Sequence, residues 1–202
     1  MVQFIRKSFL VGGLMLWVWL SPSAMAQDQA ASPKAEPPKA TRVTLGSSSG
    51  TPDTSVVVPV YFTPLEGVEV GRLKITVDFV SKNLKYSKMD PGIAAEMGKV
   101  DLSTEVKEGK NEQGLETTIL TITASFLTPE PPAKGIPSGL LGYLTLNINA
   151  DAREANINLK AAAEATELKT NKPIENLQAS SATVDVLAPG TLPLVVCFIF
   201  SH

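Results

Sequence analysis

The fold is decided by residues 54–79, TSVVVPVYFTPLEGVEVGRLKITVDF, where two stretches alternate with a period of two residues. Between residues 72 and 79, polar and apolar residues alternate without exception. Because a strand directs successive side chains to opposite faces, this stretch presents one apolar row to a core and one polar row to solvent. Val56, Val58 and Val60 share one side of the first stretch, whose β-branched composition is typical of a buried strand. The sequence therefore predicts a sheet with one buried and one wet face.

The composition of the chain excludes several classes of function. It has 202 residues, a formal net charge of -2 and 44% hydrophobic residues, which fits one globular domain with further segments attached. Its Lys and Arg residues are scattered rather than clustered, so nucleic acid is not a predicted partner. The single cysteine, Cys197, excludes an internal disulfide, and the fold must depend on its apolar core.

Catalytic and metal-binding residues are also scarce. The only histidine, His202, is the last residue, so Ser-His, Cys-His and His-rich metal sites have no base or ligand to use. Two close acidic pairs occur, Glu66 with Glu69 and Glu105 with Glu108. Each pair lies in or beside a loop among other charges, which favours a solvated surface over a hydrolytic carboxylate pair. Calcium loops of the Asp-x-Asp-x-Asp-Gly kind are missing, and we predict no enzyme activity and no cofactor.

The first 40 residues predict export followed by a linker. A positively charged start precedes an apolar run at residues 9–20, and Ala24-Met25-Ala26 is the small-x-small pattern at which signal peptidases cut. The run is shorter than the about 20 residues of a membrane span, so a signal peptide at residues 1–26 is favoured over a retained anchor. Residues 27–40 are rich in Ala and Pro and are predicted to be a disordered linker. We expect the mature protein in the periplasm, at the cell surface or outside the cell.

Residues 41–187 carry the remaining strand signals. Short alternating segments separated by turn residues recur along this region, with one helical turn at residues 93–97 and a Pro-rich surface loop at residues 128–138. The Ala and Glu content of residues 160–168 favours a helix only weakly, and sheet pairing overrides such a preference, so a strand continuing into a loop is predicted. The prediction is an all-β fold, an antiparallel β-sandwich of about nine strands.

Residues 188–202 form an apolar C-terminal tail. Residues 192–200 are continuously apolar but too few to span a bilayer. Two interpretations fit this composition equally well. The tail either packs on the sandwich as an added edge strand or contacts a membrane or a partner.

A series of motifs runs in order through most of the predicted sandwich. They are VTLG at residues 43–46, GTPDTSVVVPV at 50–60, GRLKITVDF at 71–79, the strand from Leu84, GLLGYLTLNINADA at 139–152, INL at 157–159, ATE at 165–167 and ATVDV at 182–186. This series resembles the cohesin domain family. The resemblance implies a jelly-roll sandwich that binds a small helical domain, the dockerin, through one sheet face, with calcium held by the partner. The sequence departs from the family at Val80-Ser81, where these domains usually have Asp-Pro.

The resemblance also implies which face binds the partner. The partner-contacting face of the family includes the strand at residues 72–79, so the outward row of this strand and the polar rows of its neighbours are the candidate site. Ile119 is predicted to supply a modest apolar centre in a flat surface of hydroxyls and mixed charge, which suits recognition by hydrogen bonds. The predicted partner-binding residues are Arg72, Lys74, Thr76, Asp78, Glu105, Lys107, Ile119, Thr121, Thr123 and Ser125.

Two other functions are compatible with the sequence. A carbohydrate-binding module shares the sandwich architecture, which makes polysaccharide an alternative ligand, and a structural or adhesive cell-surface module is the third interpretation. Sugar platforms usually use exposed Trp or Tyr rings. Both tryptophans, Trp17 and Trp19, precede the predicted cleavage site. The three tyrosines, Tyr61, Tyr86 and Tyr143, lie in strand patterns for which core packing is predicted.

Overall fold

Two β-sheets packed face to face form the part of the chain that the computed structural model describes, residues 39–126 and 134–191. These residues contain eleven strands and one short helix. The strands are β1 (Thr41–Leu45), β2 (Ser48–Gly50), β3 (Ser55–Thr63), β4 (Val70–Val80), β5 (Leu84–Pro91), β6 (Val100–Lys110), β7 (Glu116–Phe126), β8 (Gly139–Ile148), β9 (Ala155–Glu167), β10 (Leu177–Ser180) and β11 (Ala182–Val186). The helix is α1 (Ile93–Gly98).

The strand order separates the chain into a five-stranded and a six-stranded sheet. The five-stranded sheet has the order β10-β1-β3-β8-β5, and the six-stranded sheet has the order β2-β11-β9-β4-β7-β6. Neighbouring strands are antiparallel except for β1 with β10 and β2 with β11, which are parallel. The predicted all-β sandwich is confirmed.

The strand count is higher than the predicted nine because two short edge strands carry no local signal. The Ser, Gly and Pro content of residues 47–53 predicts a turn, yet Ser48–Gly50 pairs in parallel with β11, and the Leu187 N–H donates to the Gly50 carbonyl at 2.8 Å. Leu177–Ser180 likewise pairs with β1. Neither three residues of Ser and Gly nor the four residues Leu-Gln-Ala-Ser form a strand pattern of their own, so pairing with a distant strand determines these two elements.

The core lies between the sheets and is built from the predicted apolar rows. On β4, Leu73, Ile75 and Val77 are fully buried, whereas Lys74 between them is exposed. Large side chains of the opposite sheet, such as Leu144 on β8, complete the core. Burial of one such side chain stabilises the fold by about 1.5–3 kcal/mol, so the strict alternation fixes the register of each strand.

The Ala-rich segment is a strand, as predicted. Residues 160–165 of β9 pair with residues 73–78 of β4, so their backbone groups are bonded between strands rather than along a helix. The predicted helical turn is α1, which lies between β5 and β6 and is capped at its C-terminus by Lys99 in the left-handed conformation with φ of 53°.

Several predictions fall outside the described residues. They concern the signal peptide and the linker up to residue 38, residues 127–133 of the Pro-rich loop and residues 192–202 of the tail. Within residues 39–126 and 134–191, no helix is long and apolar enough to cross a membrane.

Candidate functional site

The ten predicted partner-binding residues lie on the outer face of the six-stranded sheet, which we call the β4 face. On β4 and β7, Lys74 lies opposite Thr123, and Asp78 lies opposite Ile119. On the other side of β7, Lys107 of β6 lies opposite Ile119. The remaining predicted residues, which extend the same outward rows of β4, β6 and β7, are Arg72, Thr76, Glu105, Thr121 and Ser125. The structure therefore brings all ten onto one face.

Strand β9 adds an outward row to this face that the sequence analysis missed. It lies on the far side of β4 from β7, and it places Lys160 opposite Asp78 and Glu164 opposite Lys74. The signal that could have found it is the alternation of exposed Asn156 and Asn158 with buried residues. This alternation is lost in the Ala-rich half of the strand, where inward and outward positions are both occupied by alanine.

Charges on the β4 face are exposed and mixed in sign. The Lys74 Nζ lies 3.5 Å from the Glu164 Oε2, and the Lys107 Nζ lies 3.3 Å from the Glu105 Oε1. Both side chains of each pair are largely solvent-exposed, so each ion pair contributes only about 0–1 kcal/mol to stability. These groups are therefore available to a partner without a large loss of folding energy.

The centre of the face is less polar than its rim. The hydroxyl-bearing outward residues of β4 and β7 are half-buried, and Ile119 exposes 38% of its surface between Asp78 and Lys107. An apolar centre surrounded by hydroxyls and charges is the usual composition of a protein–protein interface.

Among the described residues, no group of three or more His, Cys, Asp or Glu side chains could hold a metal ion.

One end of the β4 face is concave, which corrects the predicted flat surface. The turn between β6 and β7 borders a cavity of about 390 Å³, whose lining includes Asn111, Leu115, Asp78, Asn158 and Lys160. The Asn111 side chain holds the turn, because its Oδ1 accepts hydrogen bonds from the backbone N–H groups of residues 113 and 115 at 3.0 and 2.9 Å. A cavity formed by a turn and a distant strand is not visible in local sequence patterns.

The expected core packing of the tyrosines is wrong for two of them. Tyr61 and Tyr143 are 45% and 39% exposed, on the outer face of the five-stranded sheet. Both rows of β3 contain large residues, so its pattern did not reveal that the valines at 56, 58 and 60 face the core and Tyr61 faces away. Tyr86 does pack against the core, and its hydroxyl lies 2.9 Å from the Thr104 Oγ1.

Comparison with known proteins supports the fold and not a closer relationship. No protein-family model and no curated protein matches the sequence. Solved structures do match. The third cohesin ScaC of Acetivibrio cellulolyticus, in complex with the ScaB dockerin, has a TM-score of 0.56 and 18% identity over 73% of this chain and 99% of that chain.

Two further solved structures come from different organisms. The seventh ScaB type I cohesin of Pseudobacteroides cellulosolvens has a TM-score of 0.53 and 16% identity, over 79% of this chain and 98% of that chain. The non-cellulosomal cohesin of Archaeoglobus fulgidus has a TM-score of 0.52 and 12% identity, over 75% of this chain and 94% of that chain. The chain therefore has a cohesin-like fold, as the resemblance of its motifs implied.

Proposed function

We propose that this chain is a non-catalytic binding module that holds a dockerin-type protein domain on the β4 face. The observation that carries the proposal is the register of β4, β6 and β7, which gathers all ten predicted residues on one exposed face. The similarity to cohesins crystallised with dockerins supports the kind of partner. The calcium ions belong to the partner in this proposal, because a dockerin-type fold depends on them.

The geometry of the face supports rigid recognition. Most of its contacting groups lie on paired strands, where the backbone is fixed before binding, so little conformational entropy is lost on association. Ile119 and the neighbouring hydroxyls would form the desolvated centre, and Lys74, Glu105 and Lys107 would form the charged rim. The cavity beside Leu115 would receive a side chain that projects from the partner.

The acidic pairs are assigned no catalytic role in this proposal. Glu105 forms an ion pair with Lys107, and the Glu69 Oε2 lies 2.7 Å from the Lys169 Nζ. Each of these carboxylates is therefore neutralised by a surface cation instead of facing a second carboxylate across a substrate cleft. Export by the predicted signal peptide would place the module where an extracellular or periplasmic partner can meet it.

The proposal is tested by capture from the secreted fraction of the source organism. The immobilised full chain should retain a protein whose sequence carries calcium-binding loops. A chelator should release that protein, and restored calcium should return it, because the metal maintains the fold of the partner. The dockerin assignment would be overturned if the chelator did not release the retained protein, or if only proteins without calcium-binding loops were retained.

A further inference from the structure

The outer face of the five-stranded sheet carries an aromatic strip. Val57, Tyr61 and Tyr143 are exposed by 46%, 45% and 39%, and Tyr143 lies opposite Pro59 on the neighbouring strand. Tyr61 follows Pro59 by two residues on the same face and, after a register shift between Val60 and Tyr61, lies opposite Leu140 of the strand that carries Tyr143. These side chains lie on β3 and β8, at the centre of the sheet, and no described element covers them.

The aromatic strip is short. Along β3 it extends from Val57 to Tyr61, which is about 13 Å at about 3.3 Å per residue. Pro59 between Val57 and Tyr61 is half-buried, and Gly46 packs against its ring, because a Cβ at position 46 would lie 2.6 Å from the Pro59 Cγ. Polar residues border the strip at its end, where the Ser55 hydroxyl donates to the Asn147 Oδ1 at 2.8 Å.

The rim of this face is cationic. Its outward rows contain three basic residues, Arg42 on β1 and Lys85 and Lys88 on β5, all of them exposed. The only acidic residue in these rows of the described strands is Asp90, whose Oδ2 lies 2.9 Å from the Lys88 Nζ. Arg42 and Lys85 therefore place positive charge on opposite sides of the tyrosines.

We propose that this face is a second binding surface, for an acidic polysaccharide. Sugar rings pack their C–H faces on tyrosine rings, and their hydroxyls reach amide and hydroxyl groups such as those of Asn147 and Ser55. The carboxylates of uronic acid residues would pair with Arg42 and Lys85 in charge-assisted hydrogen bonds. The two charges and the aromatic strip thus fit one extended anionic chain.

The size and charge of the strip distinguish this ligand from a protein. A stable protein interface buries about 800 Å² on each partner, whereas the exposed large apolar side chains here are only three, Val57, Tyr61 and Tyr143. Self-association through this face is opposed by like charges, because Arg42 and Lys85 would meet the same cations of a second copy. The aromatic strip also lies on the sheet opposite the β4 face, so the two surfaces could act at once.

The test is affinity electrophoresis of the purified full chain in gels containing polygalacturonate or alginate, with neutral dextran as the comparison. Acidic polymers should retard the chain, dextran should not, and retardation should weaken as salt is raised. The double change Tyr61→Ala with Tyr143→Ala should weaken binding at least about tenfold, because truncated aromatic contacts at a binding centre commonly cost that much. The double change Met97→Ala with Val106→Ala, at two exposed apolar residues outside the strip, alters no charge, so it is the matched control and should leave retardation unchanged.

A second variant separates recognition from folding. Arg42→Ser with Lys85→Ser removes only exposed charge, so the thermal midpoint should stay near that of the parent while binding falls at least about threefold. The proposal is overturned if the acidic polymers do not retard the unmodified chain, or if dextran retards it equally. Unchanged binding in the Tyr61/Tyr143 variant or in the Arg42/Lys85 variant would also overturn it, as would a dimer that dissociates when the tyrosines are removed.

Discussion

Substitutions at two adjacent residues of β7 test separately the buried face and the exposed face of the six-stranded sheet. Ile122 is fully buried in the core opposite Ile75 of β4, whereas Thr123 projects to the β4 face opposite Lys74. The change Ile122→Ala should lower the free energy of unfolding by about 2–5 kcal/mol, because it removes buried methyl groups and leaves a cavity. The change Thr123→Ala should lower it by no more than about 1 kcal/mol, the range of strand preference at an outward site.

Urea denaturation followed by far-UV circular dichroism measures both changes. A domain of this size has about 5–15 kcal/mol of stability, so the Ile122→Ala transition should move to clearly lower urea with an unchanged slope. Thr123→Ala should instead reduce partner affinity. Equal losses of stability in the two variants, or a larger loss for Thr123→Ala, would show that the register of β7 is wrong.

Three further predictions concern the turn, a close strand contact and the N-terminus. Asn111→Ala should lower the free energy of unfolding by about 1 kcal/mol in thermal or urea melts, because two backbone N–H groups lose their acceptor, and Asn111→Asp should largely restore it. Gly142→Ala should lower the melting temperature through a loss of about 1–3 kcal/mol, since the added Cβ would lie 2.7 Å from the Asp90 carbonyl oxygen, and an unchanged melt would contradict this packing. Mass spectrometry of the exported chain should show Gln27 as the first residue, and an intact Met1 on a membrane-bound form would show a retained anchor.

The sequence predicted the β4 face well because its strands alternate. Between residues 72 and 79 every inward position is apolar and every outward position is polar, so only one register buries the apolar row. On β7, Thr121 and Thr123 likewise alternate with buried apolar residues. Hydrophobic periodicity is a physical constraint that acts within each strand, and it can be recognised without knowing the neighbours.

Features that depend on distant contacts could not be predicted. Ala162 on the β4 face and Ala163 beneath it are identical in type, so composition does not show which way β9 faces. The strand at Ser48–Gly50 exists only through its pairing with β11. Tyr61 follows a row of valines in a strand with two apolar sides, and only the position of the second sheet decides which side is buried.

The measurement that tests the central claim most directly is the affinity of the chelator-sensitive partner for the Lys74→Asp, Thr76→Asp variant, determined by isothermal titration calorimetry. Both side chains lie in the outward row of β4, and the Lys74–Glu164 ion pair is too exposed to contribute much to folding. Binding should weaken by more than about 1 kcal/mol, which is roughly fivefold, while the thermal midpoint stays nearly unchanged. The Tyr61→Ala, Tyr143→Ala variant should bind this partner as the parent does. An unchanged affinity for the Lys74→Asp, Thr76→Asp variant would contradict the assignment of the β4 face.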